Sequence, residues 1–169
     1  MYCKLSRISP DEIASLEGAD ELPASLWEGA PGRQLDLDKN WDLLTFVLTG
    51  LDFEEDDVDE VPPPTLLGFL QDTRVGLPTG PDQTYGPPRL LSVEQVDVVC
   101  TELDGLTDDL AQERLGSRKI LELYPIGGRY DGETLAPGDR QEIAAALAEL
   151  RAFLASCRAD RTALLVWLY

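Results

Sequence analysis

The sequence predicts an α+β fold: a helix-dominated single domain, spanning 1–169, whose small sheet includes both terminal strands. Three observations predict it. Tyr2 to Ile8 alternates in polarity, and Thr162 to Tyr169 is a second strand-like run at the other end of the chain. Between them, helix-opening patterns recur at short intervals. And 169 residues with 43% hydrophobic content suffice for one buried core.

The elements follow in order. After the first strand, Ser9-Pro10-Asp11-Glu12 supplies an N-cap, a proline at the first helical position and a glutamate that completes a capping box; the helix ends at Gly18. Asp20 to Trp27 predicts a further helical turn or two, and Gly29 to Gly32 a loop. The helix that follows opens near Asp38 and stops at Gly50, with Trp41, Leu44 and Leu48 on one side and Leu43, Phe46 and Val47 on another. A helix apolar on most sides is a buried one.

Residues 51–64 hold seven acids and three consecutive prolines, which predicts a solvated acidic loop. Thr65 to Leu70 is a short apolar element, and 71–89 is a Gly/Pro-rich loop without the Gly-Lys-Ser of a phosphate-binding loop. Ser92 and Gln95 form a second capping box, ahead of a stripe of Val93, Val96, Cys100 and Leu103. Thr107 caps the next helix, and Ile120 to Tyr124 predicts a strand closed by Pro125. Asp139 and Glu142 predict a third capping box. Ile143, Leu147, Leu150, Leu154 and Cys157 then make the clearest amphipathic stripe in the chain.

Composition excludes several functions. The formal net charge is −18, from 14 basic against 32 acidic residues. Such a field repels phosphate backbones and anionic lipid, so neither nucleic acid nor membrane is an expected partner. The chain has no histidine, which removes Ser-His and Cys-His pairs and the commonest zinc ligand. Cys3, Cys100 and Cys157 are widely spaced and predict buried free thiols in a reducing compartment. No signal-peptide pattern and no apolar run of membrane-spanning length is present, so the expected location is the cytoplasm.

The run Leu35, Asp36, Asp38, Lys39, Trp41, Asp42, Leu48, Thr49, Gly50 resembles the signature of the YfbM-like family (domain of unknown function 1877). Leu123-Tyr124-Pro125 is a second match, although the family's next residue is Gly and here Ile126 intervenes. The resemblance implies an α+β domain of bacterial type and carries no activity, cofactor or catalytic assignment.

Asp36, Asp38, Trp41, Asp42 and Tyr124 are the candidate pocket residues. Asp38 and Asp42, four apart on one helix, would share a face and could share a proton or hold a cation. The architectural alternative makes Asp38 a helix cap and Asp42 a partner of the helix dipole, with Trp41 anchoring the core. The charge, the missing histidine and the acidic loop favour a non-catalytic acidic protein-interaction domain, immunity- or antitoxin-like, with a basic protein as partner. The alternative is a small-molecule-binding protein or enzyme built on the five pocket residues. No catalytic residue, metal site or cofactor is predicted, and the sequence sets no oligomeric state.

Overall fold

The computed structural model describes residues 2–16, 21, 23–27, 32–51, 65–82, 85–117, 119–120, 130–131 and 134–169. Seven strands and six helices are described: β1 (Cys3–Ile8), α1 (Pro10–Leu16), α2 (Ala24–Trp27), β2 (Gln34–Asp38), α3 (Trp41–Thr49), β3 (Leu77–Pro78), β4 (Arg89–Leu91), α4 (Val93–Asp104), α5 (Asp108–Leu115), β5 (Tyr130–Asp131), β6 (Thr134–Leu135), α6 (Pro137–Asp160) and β7 (Ala163–Leu168). A short 3-10 turn spans Leu66–Gly68.

The two terminal strands are neighbours. The main sheet runs β2-β1-β7-β4-β3 with antiparallel pairing throughout, and β5-β6 is a separate two-stranded ribbon. Because side chains alternate across a strand, β1 and β7 feed two cores at once. Cys3, Leu5, Leu164 and Val166 face the larger one, built with α3, α4, α5 and α6. Ile8, Ala163, Leu165 and Trp167 face a smaller one, closed by Leu16 of α1 and Leu26 of α2.

Local signals set most helix ends. Ser9 and Glu12 form their capping box at α1, and Ser92 and Gln95 form theirs at α4. The Thr107 side chain accepts from the Leu110 N–H at α5. α3 is buried at every position from Trp41 to Leu48 and ends at Gly50, whose φ of 72° is left-handed and whose N–H returns to the Phe46 carbonyl. The predicted α6 stripe of Ile143, Leu147, Leu150, Leu154 and Cys157 is buried throughout.

Four expectations are corrected. α3 does not open at Asp38: residues 34–38 pair with β1 as β2, so Asp38 ends a strand and Asn40 is the α3 N-cap. The third capping box does not form: α6 begins at Pro137 behind Ala136, and Glu142 instead accepts from the Asn40 amide at 2.9 Å. Residues 71–89 are not all loop, since β3 and the first residue of β4 form an edge hairpin there. Ile120 is helical where the first residue of a strand was expected; 121–124 lie outside the described residues, as do Gly18 and the acidic stretch 52–64.

Candidate functional site

The five predicted pocket residues fall in two places, with one outside view. Tyr124 lies outside the described residues. Trp41 and Asp42 are buried at the start of α3; Trp41 packs in the larger core, and the Asp42 Oδ1 accepts from the Leu43 N–H at 2.6 Å. Asp36 and Asp38 are exposed on β2. The strand explains the separation. Asp36 pairs in register with Lys4, whose neighbours Cys3 and Leu5 point into the larger core, so Asp36 points away from it.

At that open end of the sheet, residues from both termini of the chain meet. Tyr2 and Tyr169 exchange backbone hydrogen bonds at 2.9 and 3.0 Å, and their rings stack with centroids 5.5 Å apart. Lys4 Nζ lies 5.3 Å from the Tyr169 ring centre, and Lys39 Nζ lies 5.5 Å from that of Tyr2. The Tyr169 hydroxyl donates to Asp36 at 3.0 Å, and Lys4 sits 3.8 Å from the same carboxylate oxygen. Burial, the bond to Asp36 and the nearby Asp38 charge push the Tyr169 phenol up to about 12, so it stays protonated and acts as a donor. Tyr2, Lys4 and Tyr169 were not singled out by sequence reasoning. The signal was there, because pairing the terminal strands obliges their flanking tyrosines to meet.

The charge is distributed unevenly. Between Val93 and Leu115 the chain carries seven acids and one base, Arg114. Glu94, Glu102, Asp104, Asp108, Asp109 and Glu113 are exposed, with Val98 exposed among them. Arg114 does not neutralise this face. It turns inward, donating through Nη1 to the Val47 and Leu48 carbonyls at 2.7 Å each, and so closes the C-terminus of α3. Two of the acids are paired from α6: Asp108 with Arg151 at 2.6 Å and Asp104 with Arg158 at 3.2 Å. Those two pairs rim a groove of about 550 Å³ floored by Leu103, Leu106 and Leu154.

Inside the fold, Arg89 of β4 is buried and donates to the Leu70, Asp72 and Val75 carbonyls. Burial favours neutral Asp72, but the bonds and charge of Arg74 outweigh it and hold that carboxyl below the usual range. All three cysteines are free and buried; burial raises each thiol, Cys3 to about 12. Among the described residues no three His, Cys, Asp or Glu side chains come together as metal ligands, and no helix is long and apolar enough to cross a membrane.

Comparison with known proteins adds a family and a fold. The model of the domain of unknown function DUF1877 matches residues 1–167. Among solved structures, the crystal structure of YfbM from Escherichia coli, a protein of unknown function, is similar over 98% of each chain, with 20% identity and a TM-score of 0.67. No curated protein matches the chain.

Proposed function

This chain belongs to the DUF1877 family, which is defined without an activity, and from that premise we propose that it is a non-catalytic acidic domain that binds a basic protein through its α4–α5 face. One observation carries the reading. Arg114, the one base in that stretch, is spent capping α3, so five of the seven acids have no ion pair among the described residues. Glu94 and Glu102 lie four residues either side of the exposed Val98 on α4, with Asp97 next to it, and Asp109 and Glu113 follow on α5. Opposite charge on a partner would accelerate encounter and set orientation.

The small-molecule alternative asks Tyr124, outside the described residues, and Asp36, Asp38, Trp41 and Asp42, within them, to line one pocket. Asp36 and Asp38 are exposed while Trp41 packs in the larger core and Asp42 is buried beside it in α3, which favours the interaction reading over it.

Tagged chain, incubated with lysate from its own host, tests the proposal. The expected result is a basic protein retained at about 0.1 M salt and released at about 1 M, where the Debye length falls from about 10 Å to about 3 Å. The triple variant Glu102→Lys, Asp109→Lys, Glu113→Lys should retain none. Absence of any salt-sensitive basic partner, or unchanged capture by the triple variant, sinks the reading.

A further inference from the structure

Beside the edge hairpin, a more enclosed cavity of about 160 Å³ lies between Thr73, Pro78 and residues 85–87 on one side and the end of β7 on the other, its walls including Tyr85, Pro87 and Trp167. Arg89 also lines it. The size is that of a single aromatic ring, since an apolar cavity of about 150 Å³ accepts benzene.

Arg89 gives this cavity its chemistry. The residue is only 5% exposed, and a guanidinium carries five N–H donors. Three of its hydrogen bonds run to the carbonyls of Leu70, Asp72 and Val75, two from Nη1 and one from Nη2; Nε–H takes part in none of them. Those acceptors are neutral. Asp72, the carboxylate whose field reaches Arg89, directs both oxygens to Arg74. A buried cation whose hydrogen bonds all run to carbonyls gains from a counter-ion, and Nε–H is a guanidinium donor that a carboxylate oxygen can accept from.

We propose that the cavity is a binding site for a small planar carboxylic acid of one-ring size, its ring between Tyr85 and the two prolines and its carboxylate on the Arg89 Nε–H. The overall charge of −18 does not forbid this. At about 0.15 M ionic strength, charges farther than roughly 8 Å away are largely screened, whereas Arg89 would be in contact.

Benzoate is the probe. The full chain, labelled with nitrogen-15, is titrated to about 20 mM while the Arg89 Nε–H and the Thr73, Gly86 and Leu168 amides are followed by NMR. Saturable shifts in all of them are expected, with no saturation by benzyl alcohol, which keeps the ring and lacks the charge. Arg89→Lys keeps the charge, loses the fork, and should weaken binding at least about tenfold. Because Arg89 also holds three carbonyls, Tyr85→Ala provides a second arm at an exposed position and should weaken benzoate by a similar factor. The proposal is overturned if benzoate leaves these resonances unmoved, if benzyl alcohol saturates them equally, or if Tyr85→Ala binds benzoate as the parent does.

Discussion

Replacing Gly50 by Ala should cost about 1–2 kcal/mol, and the cost should come from the backbone and not from the space a methyl group needs. Gly50 closes α3 at φ 72° and ψ 8°, and its N–H bonds the Phe46 carbonyl at 2.7 Å. A residue with a Cβ pays roughly 1–2 kcal/mol in that left-handed region. The added Cβ would also lie 3.3 Å from Cζ, Nε and Nη2 of Arg114. That contact is tight, but the guanidinium needs to retreat only a few tenths of an ångström. Its bonds to the Val47 and Leu48 carbonyls, 2.7 Å each, can lengthen to about 3.2 Å and remain hydrogen bonds. The steric share should therefore stay below about 0.5 kcal/mol.

Urea unfolding measures the total, read as a shift in midpoint at unchanged slope, and heating should lower Tm by about 2–4 °C per kcal/mol in a chain of this size. Two further variants apportion the cost. Asn tolerates the left-handed region, so Gly50→Asn should cost clearly less than Gly50→Ala although it carries the same Cβ. In an Arg114→Ala background, the penalty of Gly50→Ala should fall by no more than about 0.5 kcal/mol. If Asn costs as much as Ala, or if removing Arg114 abolishes most of the penalty, the contact dominates and the backbone argument is wrong.

Three other expectations concern caps, titration and thiols. Ser92→Ala should lose about 1 kcal/mol with its capping box, while Ala136→Ser, at a position with extended geometry and no cap bond, should gain about 0.5–1 kcal/mol, both by urea titration. The Tyr169 phenol should ionise near pH 12 by ultraviolet absorbance, and Asp36→Asn should bring it down toward 10. Its folded value lies above the unfolded one, so the stability it contributes is complete below about pH 10 and is lost as pH rises toward 12. Cys3, Cys100 and Cys157 should all resist a thiol reagent at pH 8 until the chain unfolds; prompt labelling of any of them in the native state would contradict their burial.

The five candidate site positions were legible as a cluster in sequence and not as a site in space. Leu35 to Asp42 reads as one acidic approach to a helix because strand and helix signals overlap over so few residues. Pairing with β1 divides it, sending Asp36 and Asp38 to one side of the sheet and Trp41 and Asp42 into the core. Arg89 carried no local mark at all. An arginine in a Gly/Pro-rich stretch reads as solvated, and its burial depends on carbonyls 14 to 19 residues earlier in the chain.

By itself the sequence determined what is local: where α1, α4 and α5 begin, where α3 stops, which stripe of α6 is buried and that the end segments are strands. Caps, glycine terminators and apolar periodicity act within one or two helical turns, so their information is contiguous in the chain. Tertiary structure alone decided that residues 34–38 are β2, that Glu142 serves Asn40 and not a cap, and that Arg114 turns inward to leave an acidic face. Each of those depends on a partner tens of residues distant, because buried polar groups take whichever partner folding brings within reach.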